Sequence, residues 1–389
     1  RPDPKVLAVL IDGLSHRQPR SRRQAAEGLA AMPSQPTAVP ALTALLERRD
    51  ALDSLEQWRA WQAAAGALGK AGPAGAAAVA ALAALIELDA GPVGDERRWA
   101  RQSAAAALGQ IGPAAAQAIP ALIRQLDDPD LRAQCPTALG KIGPGALEPL
   151  LDTLRNGPAS RKGGALDALH AMGPHAAPAV PLLLEMLRSR SGDTMGIALA
   201  LGSIGPPARV AIPALVRALA WVSPPGSKGF EDKVTFVIER VIDQLGPAEP
   251  AGVPELIAAL GDANAQVRRW AAIELGRIGP HARAAVAPLE RLAAQSDAPA
   301  STTFLGALVR IDPSPSRLAP LVALLSAKDA MTRCLAVMQL GSLGPAAAAA
   351  LPALRQAAQS HDSGLRAFAD AAIKNISAAT RPASTSSMP

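Results

Sequence analysis

Leu275-Gly276-Arg277-Ile278-Gly279-Pro280 is the stretch that decides the fold, because it recurs. The same pattern stands at 68–73, 108–113, 139–144, 201–206 and 340–345, and weaker copies end at Pro33, Pro174, Pro247 and Pro313. Successive prolines lie 40, 40, 31, 30, 32, 41, 33, 33 and 32 residues apart. A period in this range belongs to stacked-repeat architectures, in which one unit cannot bury its apolar face and its neighbours cover it.

Outward from the Gly-Pro, a second mark follows seven to eight residues after the glycine. It is an apolar residue and a proline, as in Ile119-Pro120, Val180-Pro181, Ile212-Pro213, Val253-Pro254 and Leu351-Pro352. Proline in a helix's first turn gives up no hydrogen bond, so the pair marks a helix start. A polar turn such as Asp127-Asp128-Pro129-Asp130 follows, and another helix runs back to the next Leu-Gly. The Gly before each proline is expected to take the left-handed conformation that caps the last carbonyls, and the proline stops the helix. The Leu-Gly glycine and the abundant alanine are expected to let the two helices of a pair approach closely. Each unit reads as helix–turn–helix, and the chain as all-α, a right-handed α-solenoid of about ten helix pairs. With packed helices roughly 8–10 Å apart, the array would be on the order of 90–100 Å long. Residues 1–376 form a single solenoid, with 6–14 reading as a helix without its preceding partner and 364–376 as a closing helix. The Ser/Thr/Ala/Pro tail 377–389 reads as disordered.

Composition supports the helical reading. Of 389 residues 49% are apolar, but only 2% are aromatic and Tyr is absent. A core of Ala, Leu, Val and Ile suits closely packed helices, whereas strands favour aromatic and β-branched residues. No run of about 18 apolar residues is free of charge, so no membrane span is expected. The opening Arg1-Pro2-Asp3, without Met, reads as a processed product or a piece of a longer chain. Cys135 and Cys334 fall in corresponding parts of distant repeats, too far apart for a bridge. Two free, apolar-flanked cysteines suit a reducing compartment, so a cytoplasmic place is preferred, with an extracytoplasmic one left open by the processed N-terminus.

A third mark is a basic residue eight positions before the Leu-Gly glycine: Arg101, Arg132, Arg268 and Arg333, with Arg22, Lys162 and Arg366 where that glycine is replaced. Asp128, Asp262, Asp329 and Asp362 precede it by four or six positions. A binding site need not recur in every repeat, but a fold device must. The ladder therefore reads as structural, each Arg holding the Asp-bearing turn or a carbonyl and tying one repeat to the next, rather than as an anion site.

On these marks the chain resembles a HEAT-repeat protein, of the bacterial subclass similar to phycobilisome-lyase HEAT-like repeats, over residues 5–376. The resemblance implies a helical binding surface and leaves function open, since the fold hosts many. One HEAT-like family, the deoxyhypusine hydroxylases, holds iron on His-Glu pairs. Here Arg17, Ala171, Ala176, Ala282 and Asp362 follow the five histidines, so that activity is rejected. No metal spacing, phosphate loop or nucleophile motif appears, and no catalytic residue, metal or cofactor is assigned. No residue matches the HEAT-like DNA glycosylases. Trp99 and Trp270, each two positions from the ladder slot, read as core residues.

The formal charge of +6 comes from 39 basic and 33 acidic residues. Residues 261–389 hold 13 basic against 8 acidic, and this excess reads as spread over a solvated surface. The departures from regularity are better functional pointers. Three units are long, with insertions at 47–57, 89–97 and 220–233, and the third carries Trp221 and Phe230. In HEAT proteins, as the resemblance implies, one helix of each pair lines the concave face. Placing the helices that follow the apolar-Pro pair there exposes Arg124, Glu185 and Arg217, a mixed-charge row unlike the continuous basic stripe a polyanion needs. The expectation is a non-enzymatic scaffold or adaptor that binds another protein through Arg124, Glu185, Arg217, Trp221 and Phe230. Nucleic-acid binding and a lyase-like activity are the alternatives, and oligomeric state stays open.

Overall fold

The computed structural model describes residues 3–88, 94–222 and 230–378, with side chains at 230–232 and 378 left aside. The chain packs as two compact units, 1–208 and 209–389. In the first, helices α1 to α12 span Pro4–Gly13, Pro19–Ala31, Val39–Glu47, Leu55–Lys70, Val79–Ile86, Asp95–Ile111, Ile119–Arg124, Gln134–Ile142, Leu147–Asn156, Ala159–Met172, Val180–Arg188 and Thr194–Ile204. In the second, α13 to α22 span Ile212–Val222, Phe230–Leu245, Val253–Ala259, Ala265–Ile278, Val286–Gln295, Ala298–Ile311, Pro315–Ala323, Ala330–Ser342, Leu351–Ala357 and Ser363–Ala378. The described residues contain no strand. The protein is an all-α solenoid of consecutive helix pairs. Within each unit odd-numbered helices alternate with even-numbered ones, and α4, α6, α8, α12, α16 and α20 of the even set carry Leu-Gly near their ends.

The local signals act as their chemistry dictates, with two corrections. The apolar-Pro pairs occupy the first two positions of α7, α11, α15 and α21. Polar turns supply N-caps: the Asp193 side chain accepts from the Met195 amide, Asn264 from Gln266, and Asp329 from Met331 and Thr332. The glycine before each proline does have positive φ, but at Gly112, Gly143, Gly205 and Gly279 ψ lies between −144° and −137°. That is the mirror image of extended backbone rather than the left-handed helical region. Only glycine enters it freely, and it turns the chain into a 3₁₀ segment instead of closing a helix cap. Those segments, such as Gly112–Ala118 and Gly344–Ala350, have three residues per turn, so alanines three apart face the core. Ala115 and Ala118, Ala282 and Ala285, and Ala347 and Ala350 are all fully buried.

The second correction concerns the Leu-Gly glycine. It serves contacts between like helices of successive repeats, not between the two helices of one pair. A Cβ added at Gly109 of α6 would lie 3.0 Å from the Ala138 Cα of α8. One at Gly276 of α16 would lie 3.0 Å from the Ala307 Cα of α18, and one at Gly341 of α20 3.0 Å from the Ala372 Cα of α22. At Gly140 it would fall 2.6 Å from the Ala171 Cβ and 2.8 Å from the Ala171 carbonyl carbon. The even layer thus packs backbone against backbone.

The arginine ladder is structural at five of its slots. Arg22 is fully buried; its Nη1 donates to the carbonyls of His16 (3.0 Å) and Arg17 (2.8 Å), its Nε and Nη2 to Gln57 Oε1 at 2.9 and 2.5 Å. Asp50 of the following turn lies 3.5 Å away. Arg268 donates to the carbonyls of Asp262 and Ala263, both at 2.8 Å, and Arg333 to those of Ala327 and Lys328 at 2.8 and 2.9 Å. Arg366 reaches the Ser360 carbonyl at 3.3 Å. Arg101 varies the theme, bonding the Ile86 carbonyl (2.8 Å), Gln125 (3.1 Å) and Asp128 of the next turn (2.6 Å). Arg132 departs from the expectation: it is exposed in the turn before α8. Pro136 has no N–H to bond the Arg132 carbonyl, so α8 begins only at Gln134 and the slot falls outside the helix.

Trp58 and Trp61 are buried edge to face at 4.9 Å, their indole N–H groups bonding the Leu52 and Leu45 carbonyls at 2.9 and 2.8 Å. They anchor the turn formed by the first insertion. Residues 89–93 of the second insertion, 223–229 of the third and 379–389 of the tail lie outside the described residues. By length and hydropathy alone Asp95–Arg124 could cross a membrane, with mean hydropathy 1.3. It is α6, a 3₁₀ segment and α7, broken at Gly112-Pro113, and 56% of that window is buried in the array.

Both cysteines are free: Cys135 is buried, Cys334 half-buried. Burial, with Asp128 adding to it, pushes the Cys135 thiol up to about 12. The thiolate is the reactive form. In the folded chain at about pH 8, a disulfide-exchange reagent is therefore expected to titrate one thiol. Cys334→Ser should abolish that reaction and Cys135→Ser leave it; two native equivalents would contradict the packing around Cys135.

Candidate interaction groove

Within each unit three positions recur on the even helices and are mostly exposed or half-exposed, although on α18 two of them, Thr302 and Gly306, are buried. They lie seven and three residues before the Leu-Gly glycine and one after it, on one helical stripe at i, i+4, i+8. In the second unit they are Phe236 and Arg240 on α14, Arg269, Ile273 and Arg277 on α16, Arg310 on α18, and Met338 and Ser342 on α20. These side chains line two hollows of about 430 and 620 Å³ that share Arg269, Ile273 and Arg277, making one groove. Gly276, without a side chain, forms part of its lining.

At the floor lies a polar network. The Trp270 indole N–H donates to Glu239 at 2.8 Å. Arg277 donates to Glu274 at 2.8 Å and, by a short contact, to Asp243. Glu274 is fully buried and also accepts from the Ala248 amide at 3.0 Å. Burial pushes its carboxyl above the ordinary carboxylate value, with Arg277 and that amide opposing. Burial disfavours the Arg277 charge as well, yet its bonds to Asp243 and Glu274 raise it above the ordinary arginine value. These carboxylates are thus already engaged. Burial, then the nearby Arg277, depresses Arg310, whose Nη2 meets only the Ser342 hydroxyl (2.9 Å) and carbonyl (3.3 Å).

The first unit carries a counterpart of about 610 Å³ on α2, α4 and α6. Its two arginines are paired with carboxylates, Arg23 with Glu56 at 2.6 Å and Arg59 with Glu96 at 3.0 Å, while Lys70 donates to the neutral Ala30 carbonyl. Trp99 lines it with 40% of its surface exposed, against the expectation of a core residue. Trp270, which is 6% exposed, meets that expectation. The two are not equivalent: Trp99 precedes its ladder Arg and Trp270 follows, which puts Trp99 one turn nearer the open helix end.

The residues expected to bind a partner lie on the odd layer. Arg124 on α7 is exposed and pairs with Glu87 at 2.5 Å. Glu185 on α11 and Arg217 on α13 are exposed, and Trp221 is half-buried at the end of α13. Phe230 begins α14, its side chain outside the described residues. Arg124 and Glu185 belong to the first unit, the other three to the second. The groove arginines escaped the sequence reading, although the i, i+4, i+8 stripe was countable from each Leu-Gly; Arg269, Arg277 and Arg310 of the basic residues in 261–389 lie there. Among the described residues no three His, Cys, Asp or Glu side chains converge as a metal site would require.

Family models for HEAT repeats match residues 92–170, and for the PBS lyase HEAT-like repeat residues 21–48. No curated protein matches. Among solved structures, Kap121p bound to Nup53p is similar with TM-score 0.57 at 12% identity, over 96% of this chain and 46% of that one. Kap121p bound to Ste12p gives 0.48 at 11% identity over 97% and 53%, and an engineered protein 0.40 at 20% identity over 96% and 99%. The chain spans about half the length of the Kap121p chains it resembles. The first of these likenesses supports the helical-solenoid fold, and with the two family matches and the recurring Leu-Gly-x-Ile-Gly-Pro the chain is a HEAT-repeat protein.

Proposed function

We propose that the chain is a non-enzymatic scaffold that holds another protein as a subunit or adaptor of a larger assembly. The supporting observation is the even-helix stripe: within each unit most of these helices present the same three positions to solvent, giving a surface of unlike side chains rather than one polar pocket. Extended repeat surfaces suit a partner that runs along them. Exposed Trp99, Phe236 and Met338 lie on this layer, and aromatic and Met side chains are favoured at protein interfaces. Of the odd-layer residues first expected to dock a partner, Arg124 is already paired with Glu87, so the even layer is the better seat.

The test starts with the chain as bait, the captured protein identified and then purified. Mixing the two should give a complex of fixed stoichiometry by light scattering. The triple variant Arg217→Glu, Trp221→Ala, Phe230→Ala should form it as well as the parent; loss there would return docking to the odd layer. Capture that vanishes on nuclease treatment, or turnover of a small molecule by the chain alone, would overturn the scaffold reading.

A further inference from the structure

Resting on the scaffold reading, we propose that the groove of the second unit seats an acidic segment of the partner protein, with its carboxylates on Arg240, Arg269 and Arg310 and its apolar side chains against Phe236 and Met338. The charge balance points this way. Arg240 is exposed and makes no hydrogen bond or ion pair with any described residue. Arg269 has only a 3.5 Å contact with the neutral Gln266, and Arg310 only the neutral Ser342. The carboxylates of Glu239, Asp243 and Glu274 are bonded to Trp270 and Arg277 and none makes a hydrogen bond or ion pair with these three cations, although they offset part of the groove's positive charge at longer range. In the corresponding groove of the first unit both arginines are paired with carboxylates, which favours the second unit as the seat of an acidic segment.

Apolar surface decides between peptide and nucleic acid. Phe236 is 63% exposed and Met338 51%, while Ile273 and Leu335 are half-buried between the arginines. A peptide alternates acidic and apolar side chains at will. A phosphate backbone cannot. Successive bases would stack on a series of aromatic faces, whereas of the two aromatic rings lining the groove only Phe236 is open and Trp270 is 6% exposed.

Fluorescence anisotropy on the full chain tests the assignment with three probes. These are a labelled twelve-residue peptide of alternating Glu and Leu, the same peptide with Lys for Glu, and a twelve-nucleotide oligothymidine. The Glu peptide should bind at least tenfold tighter than the Lys peptide and tighter than the oligothymidine. Arg240→Glu with Arg269→Glu should weaken it at least tenfold, a loss of about 1.4 kcal/mol. Arg217→Glu, an equal charge change on the other layer, should change it less than twofold. Both altered groove positions are exposed, and a thermal melt checks folding; Arg310→Gln, which keeps a donor for Ser342 and drops the charge, should weaken binding severalfold. Equal affinity of the double variant, or tighter oligothymidine binding, overturns the proposal. If the captured partner binds the double variant as it binds the parent, the groove assignment fails and the scaffold reading stands; if no protein complex forms with either, the scaffold reading fails.

Discussion

Arg22→Ala is expected to destabilise the first unit by about 3 kcal/mol, seen as a fall of roughly 6–12 °C in its melting transition. Arg22 is fully buried and makes four donor contacts. Removing it leaves Gln57 Oε1 and the carbonyls of His16 and Arg17 buried or part-buried without their donor, each worth about 1–3 kcal/mol when unsatisfied. It also leaves a cavity that the helices around it, tied by Trp58 and Trp61, close only in part. Arg268→Ala, at a half-exposed slot where water replaces the lost donor, should cost only about 1 kcal/mol. Circular-dichroism melts of the two variants against the parent measure this. Equal losses would mean that burial does not set the ladder's contribution, and partner binding lost at unchanged stability would turn the ladder into a binding site.

The second large effect belongs to Gly140→Val, expected to cost about 3 kcal/mol by forcing α8 and α10 apart. Its Cβ alone would sit 2.6 and 2.8 Å from Ala171 Cβ and carbonyl carbon, and one of those atoms is backbone, which cannot rotate away. The branched side chain adds two methyl groups to the same gap. Gly66→Ala is the control: Gly66 also lies inside an even helix, but a Cβ there meets nothing within 4 Å. Losing a flexible glycine from a helix interior should stabilise α4 by about 0.5–1 kcal/mol. If both variants destabilise alike, glycine acts in these helices through the backbone conformation and not through close approach.

These two variants separate what was legible in the residues from what was not. Repeat number, helix order and the structural ladder followed from spacing, because Gly, Pro and N-cap residues act on the backbone within a few residues of themselves. The same locality explains the errors. That the Leu-Gly glycine faces the next repeat, about 31 residues on, depends on how helices stack and not on any neighbour in sequence. Arg132 left the ladder because Pro136, four residues later, delays its helix, a local cause that an eight-residue count did not weigh.

The candidate site shows the same division. The sequence by itself determined an α-solenoid of HEAT repeats, the helix starts at the apolar-Pro pairs, and the absence of His-Glu iron pairs, since each rests on residue type at short spacing. It also placed a basic excess in the last third without saying where. Only the tertiary structure decided that Arg240, Arg269 and Arg310, on three different helices, line one groove while the nearby carboxylates are already bound. The physical reason is that a charge's meaning depends on what lies within a few ångströms of it, and across stacked repeats those neighbours come from helices some 30–40 residues apart.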